Sequence, residues 1–368
     1  MKINLIKDKA KVVVKVGTSV LASSSNQLDK ARLEQVSTQI AQLKKQGIDV
    51  VVVSSGAIAC GMQLLGYKNR PLAIVESSTA AAVGQSQLMH EYEQSFRRDN
   101  FLTAQILLTS DGLRDRTRYL NARNTILNLL EKGGIIPIIN ENDAVVTDEI
   151  KFGDNDVLSA QVAALIDAKL LIILSDVDGL YDAQGNIIQE ISEIDSCIQA
   201  LAGDTKNQRS VGGMKTKLEA AKITTAAGIP TVIANGRKKD VLQKILEQEN
   251  LGTWFLPKQD KISGKKRWIA FSCKSCGKIF VDDGAKEAVL KKGCSLLASG
   301  ISGVEGKFSF GDLVQICDGQ GVEIARGLTN YSEEEVLKIK GAKTANIELI
   351  LGYKSYDEVI HRNNLVIL

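Results

Sequence analysis

Two runs of β-branched residues on either side of one amphipathic stretch restrict this chain more than anything else in it. Lys11–Val16 reads KVVVKV and Ile48–Val53 reads IDVVVV. Neither alternates with polar residues, which is the pattern of a strand buried on both faces. Between them, Asp29–Gln46 carries Leu33, Val36, Ile40 and Leu43 at three- and four-residue spacing and stops at Gly47, which predicts a helix. Strand, helix and buried strand in that order predict a right-handed βαβ unit. Lys15 lies one residue from the end of the first run. A lysine there is costly unless its ammonium reaches water or a charge, and ligands of parallel sheets bind at that end of the strands.

The same alternation continues. Residues 72–99 predict a helix with a small-residue patch at Ser77–Gly84, whose expected role is close helix packing, within the chain or between subunits. Phe101–Thr109, Ile135–Ile139, Lys169–Leu174 and Ile229–Ala234 predict further strands, and Pro137 predicts a bulge or break in the second of these. Four arginines (Arg114, Arg116, Arg118 and Arg123) precede a helix ending at Gly133-Gly134 and suit a phosphate or a subunit-facing surface equally. The class is α/β with a mostly parallel central sheet.

Ile139–Leu158, INENDAVVTDEIKFGDNDVL, gathers Glu141, Asp143, Asp148, Glu149, Asp154 and Asp156 with three asparagines. Val145–Phe152 alternates enough for a short hairpin, with Asp148 and Glu149 on its surface. Gly153-Asp154-Asn155-Asp156 then opens a helix expected to run to Ala168. One such side chain would cap the free N–H groups of a helix start; three in succession predict a polar site.

Small-residue loops accompany it. Ser54-Ser55-Gly56-Ala57 follows the second strand and leaves room for backbone N–H groups to approach a ligand. Val211-Gly212-Gly213-Met214-Lys215-Thr216-Lys217 opens a helix reaching Ala227. Lysines in a first turn oppose the helix dipole, so an anion-binding role is favoured over a structural one. Neither a Walker A spacing nor a G-x-G-x-x-G after the first strand is present, which argues against those two nucleotide folds.

At 368 residues the chain predicts two domains. Lys258–Arg267 is basic and bears Gly and Ser, so 258–277 reads as a linker between 1–257 and 278–368. Beyond it, short strands, Gly-rich turns and one helix at Gly284–Lys292 predict a small, mostly β barrel. The net charge of +3 arises there, because residues 1–260 are balanced; that is a thin basis for an anionic partner. Six cysteines without a signal sequence read as reduced thiols. Cys273-x-x-Cys276 lacks the second close pair of a zinc ribbon, so no metal is assigned to the protein. No apolar run is long enough to span a bilayer, and a cytoplasmic location is expected.

VKVGTS (Val14–Ser19), SSGAIACG (Ser54–Gly61), INENDAV (Ile139–Val145), GDND (Gly153–Asp156), SDVDGLY (Ser175–Tyr181) and GGMKTKL (Gly212–Leu218) resemble, in order, the motifs of the amino-acid kinase family. INENDAV followed by GDND resembles its glutamate-phosphorylating branch, and the last third, from about Lys278, resembles a PUA domain. That resemblance implies a three-layer αβα kinase fold with a PUA-like tail. It also implies transfer of the ATP γ-phosphoryl group to the side-chain carboxylate of L-glutamate, the first step of proline synthesis, with Mg²⁺ carried by the nucleotide.

Residue by residue, the resemblance puts Lys15 and Lys217 on either side of the transferring group, with Asp156 fixing them. Ser55, Asp143 and Asn155, with Asp154 nearby, would bind glutamate: Asp143 the ammonium, Ser55 and Asn155 its α-carboxylate. Lys15, Gly17, Ser175, Asp176, Val211, Gly212, Gly213, Met214, Lys215, Thr216 and Lys217 would face ATP. Lys215 could share the role of Lys217, and Asp178 adds a charge of unassigned effect. Proline as inhibitor, association with the next enzyme (glutamyl phosphate reductase) and a homodimer or homotetramer are further expectations. RNA binding by the tail stays open. Family members acting on aspartate or an acylated glutamate are the nearest rivals, and an RNA-modifying protein is a rival of another class. The first lack such a tail; the second leaves the lysines, glycines and GDND without a task.

Overall fold

The first β-branched run does form a strand, β1 (Lys11–Val16), and it lies near the middle of an eight-stranded sheet. The structure is a computed structural model describing residues 9–23, 27–71, 73–145, 155–202, 213–257 and 275–367. It divides into two compact units, Met1–Lys261 and Ile262–Leu368.

In the first unit β1 pairs in parallel with β2 (Asp49–Ser54) and β5 (Leu170–Ser175), so Lys15 lies opposite Val53 on one side and Ile173 on the other. The remaining strands are β3 (Leu102–Leu108), β4 (Ile135–Glu141), β6 (Glu190–Ile191), β7 (Thr231–Asn235) and β8 (Thr253–Phe255), in the order β3-β4-β2-β1-β5-β7-β8-β6. Every neighbouring pair is parallel except β7 and β8. Side chains alternate along a strand. Val12, Val14 and Val16 therefore join the core under helices α2 (Lys30–Lys45) and α4 (Ile74–Arg97), whereas Lys15 faces the other layer. That layer contains α6 (Asn155–Leu165) and α8 (Met214–Ala226), which pack on each other.

Two expectations are corrected, and a third, close packing by small residues, is met. Pro137 neither breaks nor bulges β4: its pairing with β3 is continuous through Ala104 and Pro137. The β2 ladder starts only at Ile138, past the residue that lacks an N–H. Three of the four arginines belong to α5 (Arg116–Glu131) instead of preceding it, because Asp115 caps that helix by accepting from the N–H of Arg118. The small residues of α4 serve packing inside the chain, against α3 (Ala57–Leu65). A Cβ on Gly84 would lie 1.9 Å from the carbonyl oxygen of Ala57, and one on Gly61 1.7 Å from that of Ala80. The backbones touch, so neither position accepts a side chain.

The second unit has its own core, including Ile279, Ile316, Tyr331, Val336 and Ile360. Its strands β9 (Gly277–Val281), β10 (Ile301–Gly306), β11 (Leu313–Cys317), β12 (Glu323–Leu328) and β13 (Leu365–Ile367) form a mixed sheet in the order β10-β9-β11-β12-β13. Besides the expected helix, found at Asp283–Lys292, it contains Glu333–Ile339 and Ile347–Leu351. The former, which the sequence reading did not foresee, opens on a capping box, Ser332 to Glu335.

Candidate active site

Lys15, Asp156 and Lys217 meet at the C-terminal end of the sheet although β1, α6 and α8 are far apart in sequence. Lys15 Nζ lies 2.5 Å from Asp156 Oδ1, and Lys217 Nζ lies 3.2 Å from Oδ2. Thr216 Oγ1 donates to the same Oδ2 at 2.8 Å. All three charged side chains are at most 7% exposed. Burial alone would push the Asp156 carboxyl up, but Lys15 and Lys217 outweigh it and hold it below the usual range. Burial draws the Lys217 ammonium down, against the pull of Asp156. Asp156 stands in the first turn of α6, where the helix dipole also favours a negative charge. Two ammonium groups sharing one carboxylate leave one positive charge in a dry setting, which suits an anion.

Gly17, directly after β1, is the N-cap of α1 (Thr18–Leu21) and donates its N–H to Leu174 O at 3.1 Å. A Cβ there would sit 3.0 Å from that oxygen, so the missing side chain lets the backbone after β1 close on β5.

Beside the charges runs a chain of amides. Asn155 Nδ2 donates to Ser55 Oγ at 3.2 Å and to Asn140 Oδ1 at 3.0 Å. Asn140 Nδ2 donates in turn to Gln85 Oε1, on α4, at 2.8 Å. The main-chain N–H of Glu141 points at Asn140 Oδ1 (2.9 Å) and Asn155 Oδ1 (3.3 Å). A backbone N–H can only donate, so both of those atoms are oxygens and every amide in the chain has a fixed sense. Both N–H bonds of Asn155 are thereby engaged, and Ser55 Oγ accepts, leaving its own O–H to donate. Asn140 and Asn155 are buried, as is Ser55.

Asp143 follows β4 and is partly buried facing Arg70. Burial pushes its carboxyl up to about 6, with Arg70 pulling the other way. On the other side of β1, buried Ser175 ends β5 and donates to the exposed Asp176 at 3.1 Å. Asp178 is paired with Lys238 at 2.8 Å and accepts from Asn235 Nδ2 at 3.2 Å. Its charge is therefore compensated, and Asn235 also reaches the carbonyl of Asp176 at 3.4 Å.

Gly213 is the N-cap of α8, followed by Met214, exposed Lys215, Thr216 and buried Lys217. Lys215 and Lys217 differ because α8 turns the two in different directions, and only Lys217 faces Asp156. Asp154, Val211 and Gly212 lie outside the described residues, as do the expected hairpin beyond Val145, most of the linker and Cys273. The thiols of Cys60, Cys197, Cys276, Cys294 and Cys317 are free.

Sequence reasoning missed Gln85, Asn140 and Arg70, and for Thr216, which it set facing ATP, it missed the bond to Asp156. Asn140 stood inside a quoted motif, so a spacing argument could have reached it. Gln85 and Arg70 come from another helix and loop, and no local pattern marks them.

The amino acid kinase family model matches residues 10–235, and the PUA domain model matches residues 277–351. Glutamate 5-kinase of Thermoanaerobacter sp. (strain X514) is 50% identical over 364 residues, covering 97% of this chain and 98% of that protein. Glutamate 5-kinase of Geobacter sp. (strain M21) is 46% identical over 374 residues, covering 100% of both. Among solved structures, the UMP kinase from Bacillus anthracis aligns with a TM-score of 0.46 at 16% identity, over 67% of this chain and 96% of that one.

Proposed function

The chain belongs to the amino acid kinase family, and from that premise we propose how its residues share the work. It has glutamate 5-kinase activity, the first step of proline biosynthesis, and uses ATP. An oxygen of the glutamate side-chain carboxylate attacks the γ-phosphorus, and the bond from that phosphorus to the β–γ bridging oxygen breaks. The products are an acyl phosphate and ADP. No base is required, because the attacking carboxylate is ionised at neutral pH.

The difficulty is bringing two anions together, and Lys15 and Lys217 act on it as catalytic residues, held apart and aimed by Asp156. The observation that carries this reading is the single buried carboxylate bridging both ammonium groups, one oxygen to each. One net positive charge is too little for a triphosphate and a carboxylate together, so a further cation fits the site. Mg²⁺, arriving on the nucleotide, would supply it by spreading phosphate charge.

L-Glutamate would lie against Ser55, Asp143 and Asn155, with Asp154 near. Ser55 donates its O–H to the α-carboxylate, Asn155 orients Ser55, and Asp143 takes the ammonium. ATP would lie along Lys15, Gly17, Ser175, Asp176 and Val211–Lys217, with Lys217 rather than Lys215 at the reacting phosphorus. The kinase domain spans 1–257, the linker 258–277 and the PUA-like domain 278–368. Proline would compete for the glutamate pocket, and the acyl phosphate would pass to glutamyl phosphate reductase. A homodimer or homotetramer in the cytoplasm completes the proposal; among the described residues no helix is long and apolar enough to cross a membrane.

Incubation with ATP, Mg²⁺, glutamate and hydroxylamine tests the assignment by trapping the acyl phosphate as a hydroxamate. Hydroxamate with aspartate or acetylglutamate but none with glutamate would overturn it. For the second unit, salt-dependent RNA retention on filters is the corresponding test, and its absence removes RNA binding.

A further inference from the structure

Gln85 lies on α4, on the opposite side of the sheet from the lysines, and belongs to none of the sequence motifs. Its carbonyl nevertheless ends the chain of amides that begins at Ser55. We infer that Gln85 is a positioning residue for the amino-acid half of the site, acting through Asn140 and Asn155 on the hydroxyl of Ser55. This rests on the proposed contact between Ser55 and glutamate.

The argument is one of direction. Because the Glu141 N–H faces the oxygens of Asn140 and Asn155, the amino group of Asn140 points away from Asn155. It needs an acceptor there, since an amide N–H left buried without a partner is costly. Gln85 Oε1 supplies it at 2.8 Å. Gln85 Nε2 is buried and makes no hydrogen bond among the described residues. The side chain thus serves as an acceptor, and its amino group adds nothing visible to the fold.

With that acceptor in place, Asn140 Oδ1 is presented to Asn155, and the second N–H of Asn155 goes to Ser55 Oγ. Ser55 is then an acceptor on its protein side and a donor toward the cleft. Without the acceptor, Asn140 can turn its amide over toward another partner. Asn155 would lose its alignment, and the Ser55 hydroxyl would no longer be committed to donating.

The test is a set of variants read by steady-state kinetics: Gln85→Met, Gln85→Glu, Ser55→Ala and the Gln85→Met/Ser55→Ala double. Met keeps the volume and removes the acceptor; Glu keeps the acceptor. Gln85→Met is expected to raise the KM for glutamate roughly three- to ten-fold, the range of one net hydrogen bond, with the KM for ATP unchanged. Gln85→Glu should stay within about two-fold of the parent. The double variant should be no worse than Ser55→Ala, because both changes remove the same donor.

Additive effects, an equal rise in both KM values, or a Gln85→Glu as impaired as Gln85→Met would each overturn the inference. So would a Gln85→Met with parental KM for glutamate, while Ser55→Ala raises it. If Ser55→Ala leaves that KM unchanged, the glutamate contact itself is wrong and the inference falls with it. Should Gln85→Met fail to fold, Gln85→Leu, which also removes the acceptor, takes its place alone and in the double variant, and the same outcomes decide.

Discussion

At the scale of single residues, the site consists of charges kept in places where charges are expensive. Asp156 tolerates complete burial because two ammonium groups and Thr216 answer it. Replacing it with Asn keeps the shape but leaves Lys15 and Lys217 repelling each other. We expect kcat to fall about 10²- to 10³-fold, the scale of removing one preorganised electrostatic group. Lys217→Ala should lower kcat similarly; if only the KM for ATP rises, the lysine binds without discriminating the transition state.

Asp143 behaves differently. Its folded value of about 6 exceeds the ordinary 3.8, so between these two pH values the folded chain holds more proton than the unfolded one. Stability therefore declines as pH rises through that window, and at neutral pH the ionised group opposes folding. Asp143→Asn should raise stability at pH 7 by roughly 1–2 kcal/mol, visible as a higher Tm, and lose the effect near pH 4. The same substitution should weaken glutamate. In the parent, the KM for glutamate should rise as pH falls below about 6, and a flat profile would remove Asp143 from ammonium binding.

At the scale of elements, legibility follows how locally an element is specified. The runs at β1 and β2 announced themselves because a strand buried on both faces must be apolar without alternation. β6 and β8, two and three residues long, had no period to read and exist only because the sheet offers them a partner. The crossing of α3 and α4 was half legible: small residues signalled close packing, but the sequence could not say against what. Gly84→Ala tests it, since a methyl group would meet the Ala57 carbonyl. Overpacking of backbone against backbone should cost about 2–4 kcal/mol, read by chemical denaturation, with the loss shared by Gly61→Ala.

At the scale of the whole molecule, the charged residues that come together were legible and their pairing was not. Lys15, Asp156 and Lys217 could be nominated from motif order, yet nothing in the spacing fixes which oxygen meets which ammonium. Gln85 and Asn140 touch only because α4 and β4 fold onto the same corner, 55 positions apart. Ligands should bind only the assembled unit. ATP and glutamate added together should therefore raise its Tm beyond either alone, by an amount growing with the logarithm of concentration.

The triad joins strand β1, near the start of the chain, to helix α8, some two hundred residues later. A growing chain can bring Lys15 to Asp156 once α6 has been made, but no piece that ends before α8 brings both ammonium groups to that carboxylate. On the roles proposed for the two lysines, a chain cut short before α8 should not spend ATP, which a nucleotide-hydrolysis assay of the truncated chain would check.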